Sequence, residues 1–325
     1  MKKILLLGGF GFIGSNVLRF IDHFYSDVYE VIVFDKTVKH PFGHEFKCVS
    51  QVYAGDFSDP TVVRTILRNH AIDYVFHFIS STVPATSGNH RYDIESNLIP
   101  TVEFLECLVS AGVKNVVYLS SGGAIYGNSK EKHSETDNNF PISSYGIVKL
   151  SIEKYLLMFK ERFDLHPLIL RLSNPYGPLH YSMKQGVVNV AVRDALEKKE
   201  FTIWGTGEGK KDYIFITDVV DILFKLIEQG IHDEIINIGS GDEKSVNEIT
   251  GLIKTVLPGF VWKFKDTESF DVSDVTLNLE KLLNILGGYS FTPFHDGLEK
   301  TIEWLRGDMN SPVFRLASLK QGMNQ

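Results

Sequence analysis

The most restrictive stretch of the chain lies near its start. Leu5-Leu6-Leu7-Gly8-Gly9-Phe10-Gly11-Phe12-Ile13-Gly14 runs from an apolar segment through glycines at 8, 11 and 14 into a helical pattern. A strand that turns this tightly into a helix aims unpaired backbone N–H groups and a positive dipole end at one point, which suits a pyrophosphate. A side chain at Gly8 or Gly11 would block that approach, and Gly14 lets the helix lie close to the strand. Ordinary strand–helix turns can also carry three glycines. Here Asp35 closes the second apolar run, 21 residues beyond Gly14. A carboxylate there accepts bonds from the ribose hydroxyls and repels a 2′-phosphate, so NAD is expected over NADP. Lys36 is the residue that would accommodate a phosphate instead. The expected cofactor set at this end is Gly8, Gly11, Phe12, Ile13, Gly14, Asp35 and Lys36.

Met1-Lys2-Lys3 followed by leucines imitates a signal peptide. Glycines then intervene, Ser15, Asn16 and Arg19 follow, and no small-residue cleavage site closes the segment, so a buried first strand is expected. Further apolar runs at Val31–Phe34, Val52–Ala54, Tyr74–Phe78, Val116–Leu119 and Leu168–Leu170 lack strict alternation, as parallel strands covered on both faces do. Helical stretches at Phe12–Phe24, Pro60–Asn69, Asp93–Ser110 and Ser144–Phe163 separate them. The rhythm predicts an α/β fold: a Rossmann-type doubly wound parallel sheet with a smaller C-terminal α/β substrate-binding lobe. The turn-dense Ser173-Asn174-Pro175-Tyr176-Gly177-Pro178 leaves the sheet, and Thr217–Gln229 with Glu234–Ile238 returns to it. The expected domains are therefore 1–172 plus about 212–244 for NAD, and 173–211 plus about 245–310 for substrate, with 311–325 as a tail.

A chain of 325 residues has room for two such units. With 33 basic and 40 acidic residues the net charge is −7, which argues against nucleic acid or an anionic membrane as partner. No apolar stretch reaches the ~20 residues of a membrane span. Cys48 and Cys107 form no CxxC pair, so a reduced, cytoplasmic chain without a metal site is expected.

Two segments match Tyr-x-x-x-Lys. Tyr145-Gly146-Ile147-Val148-Lys149 opens a long helix, which puts both side chains on one face. Tyr126-Gly127-Asn128-Ser129-Lys130 runs into residues that hold no helix, so Tyr126 is taken as a decoy. A tyrosine of pKa ~10 becomes a useful base only if nearby positive charge favours the phenolate, and Lys149 is expected to help supply it. Gly55-Asp56-Phe57 follows the third strand, where Asp56 and Phe57 suit the edge and face of an adenine; the alternative is Asp56 as a helix N-cap.

These features together resemble the extended short-chain dehydrogenase/reductases, in particular the NAD-dependent epimerase/dehydratase family acting on nucleotide sugars. The likeness includes the glycine turn, Gly55-Asp56, His77-Phe78, Asn97, Leu119-Ser120-Ser121, Tyr126-Gly127, Tyr145 with Lys149, the Ser173–Pro178 stretch, Trp204-Gly205, Lys211-Asp212-Tyr213 and Asn237-Ile238-Gly239-Ser240. Within the family the nearest likeness is to UDP-glucose 4-epimerase-like proteins. It implies that Tyr145 removes the proton of the sugar 4-hydroxyl while NAD takes the C4 hydride and returns it to the other face. Lys149 would bind the nicotinamide ribose and Asn174 the substrate near its phosphates. The cofactor set then extends to Phe78, Ser80, Asn97 and Ser120. The substrate set is Thr82, Gly122, Asn174, Asn189, Trp204 and Lys211, with a UDP-sugar as the expected substrate. His77 is read as a packed core histidine.

The chain departs from the family at three places. Gly122 stands where a catalytic Ser or Thr is usual, Lys211 replaces an arginine, and Glu268-Ser269 precede Phe270-Asp271 where a second arginine is usual. Ser121 is expected to supply the missing hydroxyl, provided that a bulge at Gly122-Gly123 turns it into the site. The leading expectation is 4-epimerisation. A nucleotide-linked 4-ketoreductase using NAD(P)H is the alternative, and a non-catalytic NAD sensor a third. A homodimer is expected through the helices 93–110 and 144–163, on the apolar side chains Phe104, Leu105, Leu108, Ile152, Leu156, Leu157 and Phe159.

Overall fold

The computed structural model describes residues 1–40, 43–82, 88–128, 131–182, 185–266 and 275–307. The departure at Glu268-Ser269, Lys130 and the expected tail lie outside them. The chain begins as β1 (Lys2–Leu7), α1 (Phe12–Phe24), β2 (Tyr29–Asp35), β3 (Val49–Ala54), α2 (Pro60–Asn69) and β4 (Tyr74–His77). Helix α2 starts where it does because Asp59 accepts from the Thr61 N–H and Pro60 needs no partner for its own nitrogen.

The single helix expected over 93–110 is instead three pieces: α3 (His90–Asp93), a π-helical turn at Ile94–Leu98 and α4 (Ile99–Ala111). Pro100 explains the break, since it has no N–H to give the carbonyl four residues back and its ring crowds that turn. Then follow β5 (Asn115–Ser121), the short α5 (Gly122–Ile125), β6 (Lys132–His133), α6 (Ser144–Phe163) and β7 (His166–Leu172). Ser143 caps α6 by accepting from the Gly146 N–H.

The turn-dense stretch contains a strand, β8 (Asn174–Tyr176), which the composition hid. Beyond it lie α7 (Val187–Leu196), β9 (Glu200–Trp204), β10 (Lys210–Phe215), α8 (Ile216–Glu228), β11 (Glu234–Ile238), β12 (Glu243–Ser245), α9 (Val246–Val256), β13 (Val261–Lys265), β14 (Thr276–Leu277), α10 (Glu280–Leu286) and α11 (Phe294–Leu305).

The main sheet has seven strands in the order β11-β7-β5-β4-β1-β2-β3, all pairs parallel. The order reverses between β1 and β4, the kind of place where doubly wound sheets open a crevice at the strands' C-terminal ends. One face buries Ile4, Leu6, Val33, Val117 and Leu170 under α1 and α8, and the other buries Leu5, Leu7, Val75, Val116 and Ile169 under α2, α4 and α6. Each fully buried aliphatic side chain contributes ~1.5–3 kcal/mol, so these two layers fix the sheet. A further core, with Tyr176, Val188, Val192, Phe201, Ile249 and Leu298, joins α7, α9 and α11 to the sheet β12-β10-β8 and the pair β9–β13. Among the described residues no helix is long and apolar enough to cross a membrane.

Candidate functional site

The glycine turn sits at the C-terminal end of β1. Gly8 has φ +80°, a left-handed conformation open to glycine, and a Cβ on Gly14 would fall 2.4 Å from the Gly8 carbonyl oxygen. Both glycines are therefore required by the close meeting of strand and helix. Gly11 heads α1 without a side-chain cap, and no acid occupies the first turn, so the amides around Phe12 and Ile13 face an anion-ready end. Asp35 closes the loop by accepting from the Phe10 N–H at 2.9 Å and the Lys36 N–H at 2.7 Å. Lys36 itself is exposed. These groups fit the pyrophosphate and ribose of a dinucleotide.

At the end of β3, Asp56 is not the cap of α2, since Asp59 holds that position. Asp56 accepts instead from the Ser58 N–H and hydroxyl, which hold its carboxyl below the usual range. Phe57 is buried edge-on to His77 and Phe104 rather than presenting a free face, and half-buried Phe78 stacks on Phe76.

A narrow cavity opens beside Phe57, Ser80, Thr82, Asn97, Tyr145 and Lys149. The π-helical turn aims Asn97 at the end of β4, where its Oδ1 accepts from the Ser81 N–H at 2.7 Å and its amide donates to Thr82 Oγ1 at 3.3 Å. Ser80 donates to the Thr82 carbonyl. Thr82, expected to touch substrate, is thus a buried part of this smaller cavity. His77 is fully buried, bonds Thr101 Oγ1 at 3.0 Å, and is held neutral by desolvation, its pKa pushed down to about 3.

Tyr145 and Lys149 share the inner face of α6. The Lys149 ammonium donates to the Leu119 carbonyl at 2.8 Å and lies 4.8 Å from the Tyr118 ring and 5.8 Å from the Tyr145 ring. Burial pulls its pKa down to about 8, against the raising influence of Glu153. Burial also pushes the Tyr145 phenol up to about 12, and the opposing contribution comes from a hydrogen bond with Ser121. Desolvation is the largest influence on the phenol, and the Lys149 ammonium, bonded to the Leu119 carbonyl, lies 5.8 Å from the centre of its ring.

Ser121 reaches Tyr145 without the expected bulge. β5 stays in register with β7 through Ser121 opposite Leu172, and Ser121 is extended at φ −131° and ψ 106°. The chain then turns directly into α5, so the last strand residue projects at the sheet's end. Gly122, expected in the substrate set, points elsewhere: a Cβ there would meet Leu277 at 2.7 Å and the Arg171 carbonyl at 3.1 Å. A side chain at 122 would have to displace Leu277 and press on the Arg171 carbonyl.

Ser120, expected at the cofactor, faces the opposite way and donates to Glu153. Glu153 is fully buried and paired with Arg171, whose guanidinium also donates to Tyr126 at 2.8 Å. Tyr126 donates in turn to Asn237 at 2.7 Å, so the decoy tyrosine is a link between strands. Sequence reasoning missed Glu153, although it lies four residues after Lys149 on the same helix face.

Beyond Ser121 opens a cavity of ≈ 670 Å³, lined on this side by Gly123, Asn174, Tyr213 and Lys211 and across it by Asp194, Glu200 and Trp204. Along β10 the side chains alternate. Lys211 and Tyr213 face the cavity, and buried Asp212 turns away to accept from the Ser240 and Gly241 N–H groups. Asn174 lines the cavity while donating to the Asp212 carbonyl at 2.9 Å. Asn189, expected to bind substrate, is fully buried and spends both ends of its amide on the Gly177 backbone.

Comparison with known proteins supplies the affiliation. The chain is 28% identical over 93% of its length to a dTDP-4-dehydro-6-deoxyglucose reductase of Escherichia coli, of which 97% is covered. A UDP-glucose 4-epimerase of Thermotoga maritima, solved with UDP-glucose, superposes with TM-score 0.85 at 31% identity, over 94% of this chain and 99% of that one. The UDP-glucose 4-epimerase of Thermus thermophilus, solved with NAD, gives TM-score 0.86 at 25% identity, over 94% and 100%. The model of the NAD dependent epimerase/dehydratase family matches residues 4–239, and the chain belongs to that family.

Proposed function

We propose that the protein is an NAD-dependent 4-epimerase of a nucleotide sugar. The observation that carries this reading is the placing of the Ser121 side chain beside the Tyr145 phenol, where it opposes the cost of desolvation. Tyr145 lines the narrow cavity with Lys149, and Ser121 lines the broad one. A sugar carbon held between them has a cofactor on one side and room for its nucleotide on the other. When bound, NAD supplies the acceptor and later the donor of the hydride, and its oxidised ring adds the positive charge that a buried phenol needs.

The chain's residues do the rest. Tyr145 takes the proton of the sugar hydroxyl and gives it back, and Ser121 donates to the same oxygen as it becomes a carbonyl. Lys149 is placed to hold the ribose. The backbone of Gly8–Gly14 and Asp35 receive the pyrophosphate and adenosine ribose. In the broad cavity Lys211 faces the diphosphate as a point charge, Asn174 lies beside it, and Trp204 offers a ring to the base. A UDP-sugar is the favoured substrate, because a solved relative at 31% identity holds UDP-glucose. The reductase relative at 28% identity favours the second reading, a 4-ketoreductase that consumes its reduced cofactor.

The smaller α/β lobe is assigned to the nucleotide sugar and the larger to NAD. A homodimer is proposed through the helices around Ile94–Ala111 and Ser144–Phe163, on different residues from those expected. Phe104, Leu105, Leu108, Ile152, Leu156 and Phe159 are buried in the sheet's own core and Leu157 packs against it, whereas Ile94, Ile99, Ile147 and Tyr155 are exposed. A cytoplasmic location rests on the free, buried Cys48 and Cys107.

A proton NMR screen of UDP-, dTDP-, GDP- and CDP-hexoses tests the function. Inversion at C4 without added reduced cofactor supports the epimerase, and turnover that requires stoichiometric NAD(P)H supports the reductase instead.

A further inference from the structure

At the opposite end of the sheet from Tyr145, β7 and β11 begin. Their register pairs Leu168 with Glu234, so two residues earlier His166 and His232 come side by side. Their rings lie 4.8 Å apart between centroids. Asp233 stands between them, with backbone φ +63°, a conformation that a non-glycine residue holds at a cost. That twist brings one carboxylate oxygen, Oδ2, to 3.1 Å from His166 Nδ1 and 2.8 Å from His232 Nδ1. One ligand atom from each residue falls in a group spanning no more than 4.8 Å.

We propose that His166, His232 and Asp233 form a binding site for a divalent transition metal ion of the zinc type. Imidazole and carboxylate donors suit such ions, with bonds of about 2.0–2.2 Å, and a tetrahedron of those bonds has edges of ~3.3 Å. The two observed Oδ2–Nδ1 separations are short of that edge by a few tenths of an ångström, a change that side-chain rotation supplies. The other carboxylate oxygen, Asp233 Oδ1, is buried and makes no hydrogen bond among the described residues. A pocket of ≈ 40 Å³ lined by both histidines, Tyr74 and Asn115 adjoins the cluster and has room for a completing water. His232 is half exposed, which leaves a path for entry.

The ligands lie at the start of β11, the edge strand of the main sheet among the described residues, and of its neighbour β7. The ion therefore staples the edge strand to the sheet and does not enter the sugar chemistry. His295 supplies the internal contrast. Its two ring nitrogens each lie 3.8 Å from a different carboxylate, and among the described residues it belongs to no group of three converging ligand atoms.

The test is calorimetric titration of tag-free, chelator-treated full-length protein with zinc chloride at neutral pH. One ion per chain with Kd of about 10 µM or tighter is expected. Asp233→Asn, which tolerates the left-handed backbone, and His232→Asn should each weaken it at least about tenfold. His295→Asn should leave it unchanged. Zinc at a hundred times Kd should also raise Tm by about 4 °C in the wild type and not in Asp233→Asn. Binding that is weaker than about 1 mM, or equally tight in Asp233→Asn and His232→Asn, overturns the proposal.

Discussion

Two tyrosines near the end of β5 carry the same Tyr-x-x-x-Lys spacing, and the surroundings of each decide what it does. Tyr126 is buried and Tyr145 half-buried, and desolvation pushes both phenols up to about 12. Tyr126 is enclosed by Arg171, Asn237 and a stacked His133 ring 4.6 Å away, so its hydroxyl is committed on both sides. Tyr145 lines a cavity, touches Ser121, and lies on the face that carries Lys149. A raised pKa alone therefore says nothing of catalysis. The distinction lies in whether the hydroxyl can reach a substrate.

That contrast can be broken most severely at Tyr145. Tyr145→Phe should cut kcat by ~10³–10⁴-fold and leave chemical stability in urea unchanged, measured by steady-state kinetics alongside denaturation. A loss of stability with activity kept would exchange the roles of the two tyrosines.

Lys149 sharpens the same contrast through pH. Its folded pKa, about 8, lies below the unfolded value of 10.5, so the unfolded chain binds the extra proton between them. Stability from this group is complete above 10.5 and is lost as pH falls through about 8. Cofactor-free wild type should gain about 3 kcal/mol relative to Lys149→Met on going from below pH 8 to above pH 10, read from urea midpoints.

Ser121→Ala comes next, with an expected fall in kcat of ~10²-fold, or ~2.7 kcal/mol, and unchanged cofactor affinity by fluorescence titration. Retention of more than half the activity would hand the role to the backbone. Tyr126→Phe should do the reverse of Tyr145→Phe. It leaves the Asn237 oxygen and one Arg171 N–H short of a partner, costing about 2 kcal/mol of stability while the folded enzyme keeps its turnover.

The cofactor end was legible because its signals are local. Gly8, Gly14 and Asp35 act through backbone geometry within one strand–helix–strand unit, and the parallel strands show as apolar runs. Tyr145 and Lys149 were legible because one helix fixes their spacing. The sugar end was less so. β10 opens with Lys210-Lys211-Asp212, a charged start that hides a strand whose faces divide between a cavity and a buried brace. Glu153 pairs with an arginine on another element, and a buried ion pair looks from sequence like two surface charges. The place of Ser121 followed from something other than a bulge: the regular end of β5 aims it, and Leu277, 155 residues away from Gly122, crowds the neighbouring position.

Epimerisation between Tyr145 and Ser121 requires that the hydride taken from the sugar carbon return to that carbon. Proton NMR in D2O of NAD-loaded enzyme with UDP-glucose, and no added reduced cofactor, tests it most directly. The expected result is the C4 epimer with hydrogen, not deuterium, at C4, and its appearance ~10³-fold or more slower in Tyr145→Phe. Deuterium at C4, or an epimer signal unchanged in Tyr145→Phe, would contradict it.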